Sequence, residues 1–196
     1  MQKELDLLYK EIASCTRCHL AQERINPVRD QSDPGKARVI LVGEAPGANE
    51  IKHGFPFAGE AGKKLSIYLS LAGLTREEVY ITNVVRCRPT ANGGKRNRTP
   101  AKEIPLCGVW LDRELAIFRS HTVIPLTVVT LGNISLKWLC GKSCIIGNCH
   151  GRLVQLDEMK ILPMYHPAAA IYRKELDSLI RSEFEELGKY IEAAGQ

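Results

Sequence analysis

Leu5, Leu8, Tyr9 and Ile12 recur at the three-and-four spacing of a helix whose other positions are largely polar. Residues 3–13 are therefore predicted as an amphipathic opening helix that ends near Ser14. The pattern then lapses: residues 19–36 are mostly polar and contain Pro27, Pro34 and Gly35, which reads as loop. Arg38–Val42 is a short, nearly all-apolar run, the mark of a buried strand, and a Gly/Pro-rich loop follows it. A helix is expected from about Gly62 to Ala72, stopped by Gly73. Residues 79–85, rich in β-branched side chains, predict a second strand. A third helix starts near Pro100, where proline suits a first turn, and runs to about Phe118. Leu126–Leu131 is a third strand closed by Gly132, residues 133–140 a short helix, and Lys160–Tyr165 a fourth strand. A charged helix from Lys174 to about Ala193 ends the chain.

Strands that alternate with helices predict an α/β fold: three layers, α/β/α, around a four-stranded, mainly parallel central sheet. Residues 1–196 are expected to form a single domain. Open sheets of this kind bind ligands beyond the carboxyl ends of their strands. Gly43–Gly47 follows the first strand, Asn83 lies late in the second, and His166 closes the fourth. Three separated segments are thus expected to converge on one edge.

An apolar content of 44% and a charged content of 25% are those of an ordinary globular protein, which argues against a fibrous or disordered chain. No apolar stretch approaches a membrane span, and Met1–Asp6 lacks the apolar core of a signal peptide. A cytoplasmic protein is the expectation, acting in a prokaryotic cytosol or nucleoid and making no membrane contact. Its seven cysteines then read as thiols or metal ligands. The net charge of +5 permits nucleic-acid binding without demanding it. Its distribution says more: Arg86, Arg88, Lys95, Arg96, Arg98 and Lys102 fall within seventeen positions that hold no acid. Charge alone leaves that run open between a phosphate-binding loop and a solvated one.

Cys15 and Cys18 form a C-x-x-C, and Cys87 and Cys107 supply two more thiols around the basic segment. Four thiolates suit either a [4Fe–4S] cluster or a structural zinc, and the spacing alone does not choose. Cys140, Cys144 and Cys149, followed by His150, match no metal motif and read as core and loop thiols. The segment Gly43-Glu44-Ala45-Pro46-Gly47 is not a P-loop, because Phe57 stands where that motif needs glycine and Lys64 where it needs Ser or Thr. What remains is a tight loop with a carboxylate, Glu44, and an aromatic ring, Phe57, placed between Pro56 and Gly59 to stack on a planar ligand. Asn83 in an apolar strand needs hydrogen-bond partners, and its side-by-side donor and acceptor suit the edge of a base.

Four motifs in order, CTRC, GEAPG with PFAGEAG, ITNVVRCRP and YHPAAAIYR, resemble the family 4 uracil-DNA glycosylases, the iron–sulfur branch of their superfamily. The resemblance spans Cys15 to about Arg173. It implies a [4Fe–4S] cluster on Cys15, Cys18, Cys87 and Cys107, which would hold the opening helix and the basic loop in place. Gly43, Glu44 and Ala45 would line a uracil pocket, Phe57 stack on the base, Asn83 read its O4 and N3–H edge, and His166 contact O2. Glu50 would crowd uracil C5 and exclude the thymine methyl, although Ile51 stands where the family commonly has Asp. Glu44 and His166 are the catalytic candidates, since the superfamily's water-activating Asp aligns with Ala45. Arg96, Arg98, Tyr172 and Arg173 are the candidates for contact with DNA.

The activity this implies is extrusion of uracil from double- or single-stranded DNA and hydrolysis of its N-glycosidic bond by a monomer. A sliding-clamp contact is not readable from the sequence. Two alternatives stand beside it. One is a relative that traps uracil-DNA covalently through a loop histidine, against which no His lies between His53 and His121. The other is a catalytically silent iron–sulfur DNA-binding protein.

Overall fold

The computed structural model describes residues 1–24, 27–91, 96–122 and 126–194. Gly93, Gly94 and Lys95 of the basic segment lie outside them. Four strands run parallel: β1 (Val39–Gly43), β2 (Val79–Asn83), β5 (Leu126–Leu131) and β7 (Met159–Met164). A short edge strand, β6 (Val154–Leu156), is antiparallel to β7, which gives the order β2-β1-β5-β7-β6. A separate hairpin pairs β3 (Thr90–Ala91) with β4 (Arg96–Asn97). The central sheet therefore has five strands, not four. β6 escaped detection because it is three residues long and mostly exposed, so it carries no apolar run.

The strand code is simple to follow in β1, which is buried along its whole length. Ile40 and Val42 join the core beneath α1 (Gln2–Ala13) and α4 (Ile104–His121), with Tyr80, Val128 and Ile161. Val39 and Leu41 point the other way, to α3 (Glu60–Leu71) and α8 (Leu176–Ala194), with Ile81, Val129 and Leu162. Side chains that alternate between faces while both faces are covered leave no polar positions, as a doubly covered parallel sheet requires. The three-layer arrangement is thereby built.

Several boundaries move, each for a local reason. β2 ends at Asn83 because the next two amides leave the ladder pattern: Val84 N donates to Gly43 O at 3.1 Å and Val85 N to Glu44 O at 2.9 Å. Pro100 begins a turn, accepting from Glu103 N and Ile104 N at 3.0 Å each, and α4 starts only at Ile104. The Gly/Pro loop contains an unforeseen helix, α2 (Ala48–His53), with no buried residue. It stops at Gly54, whose φ of 81° suits glycine. Three short helices complete the chain: α5 (Asn133–Cys140), α6 (Ile146–Cys149) and α7 (Ala169–Tyr172). Among the described residues no helix is long and apolar enough to cross a membrane.

Candidate active site

Every parallel strand delivers its last residue to the same edge. Gly43 and Asn83 are register partners at the ends of β1 and β2. A β-carbon on Gly43 would stand 2.4 Å from Asn83 Oδ1, so only glycine lets the amide occupy that place. Behind them, the Val84 and Val85 amides clamp Gly43 and Glu44. Glu44 and Ala45 are partly exposed, and burial pushes the Glu44 carboxyl above its usual range.

His166 enters from the end of β7. Its ring packs parallel to Phe57, with centroids 5.3 Å apart and planes at 15°. Nδ1 accepts from Ala168 N at 3.1 Å, which places the imidazole proton on Nε2 and makes that nitrogen a donor. Burial holds the ring's pKa down to about 4, so it is neutral near pH 7.

Phe57 is held in place by its backbone. Its φ is 59°, in the left-handed region, and its carbonyl would lie 1.7 Å from any β-carbon at position 62. Gly62 is therefore obligatory for this loop path. Glu50 closes the loop: Oε1 accepts from Phe57 N at 2.8 Å, and Oε2 accepts from Gly47 N.

The four cysteines of the sequence motif meet elsewhere, in one cavity between α1, the segment after β2 and α4, lined also by Ile12, Arg24 and Trp110. Arg86 N donates to Cys107 Sγ at 3.2 Å. Arg24 donates to Ile12 O at 3.0 Å and Cys15 O at 3.1 Å, and reaches Cys87 Sγ at 4.0 Å, so one guanidinium ties the C-x-x-C to the third thiol. Among the described residues no group of three or more His, Cys, Asp or Glu is arranged to hold a metal ion. The donors nonetheless fit a metal–sulfur group: all four are thiols, all four line one cavity, and N–H groups already point at two of the sulfurs.

The basic segment needs correction. Arg86 is buried and pairs at 2.7 Å with Glu114, a carboxylate that also accepts from Tyr9, Tyr80 and Thr82. Arg98, a candidate for contact with DNA, is partly exposed and already paired. It grips Glu103 at 2.6 and 3.0 Å and donates to Thr90 O at 3.0 Å. Only their sequence neighbours made these two arginines look unpaired; their acids sit on or beside α4. Arg88 donates to Asn97 Oδ1 at 2.7 Å, while Arg96 is exposed on the hairpin. Asn97 in turn lies near Gly47, which brings the hairpin beside the Gly43–Gly47 loop. On the other flank, Tyr172 is 86% exposed at the end of α7, far too open for a packing role, and Arg173 follows it, 5.9 Å over the Tyr165 ring.

Sequence reading missed the Ala168 amide, Glu103 and Glu114. The last was detectable, because it falls on the buried stripe of α4 with Cys107, Trp110, Leu111, Leu115 and Phe118.

A family model for the uracil DNA glycosylase superfamily matches residues 29–192. The chain belongs to that superfamily. It is 37% identical to a type-4 uracil-DNA glycosylase of Sulfurisphaera tokodaii, over 93% of this chain and 83% of that one. A type-4 uracil-DNA glycosylase of Archaeoglobus fulgidus is 36% identical over 95% and 93%, and one of Thermotoga maritima 32% over 97% and 96%. The resemblance drawn from four short motifs is thus a likeness over nearly the whole chain.

Proposed function

We propose that this protein is a type-4 uracil-DNA glycosylase, a repair hydrolase that cleaves the N-glycosidic bond of uracil in DNA and leaves an abasic site. The observation that carries this reading is the parallel pairing of Phe57 with a neutral, Nε2-protonated His166 at the same sheet edge as Asn83. A stacking ring, an amide for a base edge and a fixed donor are what a flipped pyrimidine needs.

In this reading Asn83 pairs with O4 and N3–H. Phe57 covers the base. His166 Nε2–H donates to O2 as negative charge builds on the departing uracil. With a pKa of about 4 the ring acts near pH 7 as a neutral hydrogen-bond donor, with its direction set beforehand by Ala168. Glu44, beside the Gly43 clamp, stabilises the cationic sugar or orients the water. The protein would work on DNA in the cytosol, with Arg96, Tyr172 and Arg173 on the two flanks facing the strand.

Cys15, Cys18, Cys87 and Cys107 would hold a [4Fe–4S] cluster. The four thiols line one cavity, and the likeness to the type-4 glycosylases favours the iron–sulfur cluster over zinc as their occupant. Bound there, the cluster would tie the end of the opening helix, the segment after β2 and α4 together; no step of the reaction is asked of it. Purified protein should be yellow-brown with about four irons per chain. Cys107→Ala should lose colour and soluble yield, and stoichiometric zinc without iron would overturn the assignment.

The decisive assay is alkali-labile cleavage of a uracil-containing oligonucleotide. Wild type should cut it, and Asn83→Asp should lose about a thousandfold or more, because a carboxylate oxygen faces O4 where a donor stood. No cleavage by the wild type would leave a silent DNA-binding protein; full activity in the variant would remove Asn83 from base reading.

A further inference from the structure

We infer that Glu50 acts on the reaction as the strut that fixes the Phe57 stacking ring, and that exclusion of the thymine methyl is not its main task. This rests on the glycosylase reading above and reassigns a single residue within it. The family likeness would set Glu50 against uracil C5 as a steric gate. The geometry gives its carboxylate a different occupation. Oε1 accepts from Phe57 N at 2.8 Å and Oε2 from Gly47 N, so both oxygens are spent on backbone amides from the two ends of the loop.

Those two amides matter because of what they hold. Phe57 sits at a φ of 59°, a conformation that a bulky L residue adopts only when its surroundings impose it. Gly62 makes room for its carbonyl, and Glu50 secures its N–H. The amide donates to no backbone carbonyl among the described residues, so Glu50 is its acceptor. The same carboxylate reaches back to the residue that opens α2, joining the Gly43–Gly47 loop to the Phe57 loop through one side chain. The ring this positions is the one that lies on His166.

Gate and strut make opposite predictions for Glu50→Gln. Glutamine has the same size and keeps any steric gate, so the gate reading expects wild-type uracil excision. It has only one acceptor, however. In either amide orientation one of the two N–H groups faces an NH₂, and an amide left so costs about tenfold to a hundredfold in whatever it supports. The strut reading therefore expects Glu50→Gln to lose uracil excision by that factor in single-turnover assays, with no thymine excision, and free uracil to inhibit it correspondingly more weakly. Glu50→Gly should lose uracil excision further and gain nothing on thymine.

A second measurement reads the amide itself. In wild type the Phe57 amide, on a partly exposed loop, should be protected from hydrogen exchange, and Glu50→Gln should lose that protection while core strands keep theirs. Wild-type excision by Glu50→Gln, thymine excision by Glu50→Gly with uracil activity retained, or free exchange of Phe57 N–H in the wild type would each overturn the strut. Absence of any uracil excision by the wild type, with Phe57 N–H still protected, would instead reject the glycosylase reading and leave the strut standing.

Discussion

Replacing His166 with alanine should cost this protein stability at pH 7, and that cost should shrink or change sign at acid pH. In the folded chain the imidazole is held neutral by burial, with a pKa of about 4. In the unfolded chain it titrates near ~6.5. As the pH falls through ~6.5 the unfolded chain takes up a proton that the folded chain refuses, so stability is lost progressively until the folded pKa is reached. The linkage relation gives a loss of about 0.2 kcal/mol at pH 7, about 2 at pH 5 and about 3 at pH 4 for these two values. Alanine has no such proton. At pH 7 the variant is the less stable protein, by about 1 kcal/mol or somewhat more, because the ring's packing on Phe57 is gone. By pH 5 the wild type has lost about 2 kcal/mol to protonation, so the gap closes or reverses. Urea unfolding of both proteins at the two pH values reads the difference directly. At pH 7 the variant should also excise uracil about a hundredfold to a thousandfold more slowly, the usual cost of one preorganised donor. A stability gap that stays constant from pH 7 to pH 5 would show that His166 titrates as it does in water, and the fixed neutral donor would fall with it.

Two further substitutions separate a paired arginine from an exposed one. Arg96→Ala should weaken DNA binding on unrelated sequences alike and reduce the salt slope by about one unit, without altering the thermal midpoint. Arg98→Ala should do the reverse: it strands Glu103 and lowers stability by about 1–2 kcal/mol, a few degrees in Tm, while leaving the salt slope in place. An unchanged midpoint in Arg98→Ala would return that residue to the DNA surface. Glu114→Ala leaves the Arg86 charge without its carboxylate and should cost about 3–5 kcal/mol in urea denaturation; a cost below about 1 would mean that water replaces the pair.

What is legible in this sequence is whatever periodicity and local rules govern. α1 is readable because its apolar residues repeat at the helical period, β1 and β5 because short, wholly buried runs bounded by glycine mark central strands, and the sheet edge followed because parallel strands must end together. β6 was not readable, since three exposed residues at an edge are held by their neighbour's hydrogen bonds and need no pattern of their own. Charge misled for a related reason. An arginine's partner is chosen in space, so the sequence leaves Arg86 and Arg98 in a run without acids, and the pairing with Glu114 and Glu103 is visible only once α4 is in place. Glu50 is the sharpest instance. Its place in the motif pointed at the base, but what a carboxylate accepts from depends on where two amides seven and three residues away have been turned. A helix of six residues and a left-handed Phe57 turn them toward it. A motif fixes which residues meet at a site; the backbone between them decides whether a given side chain touches the ligand or holds the residue that does.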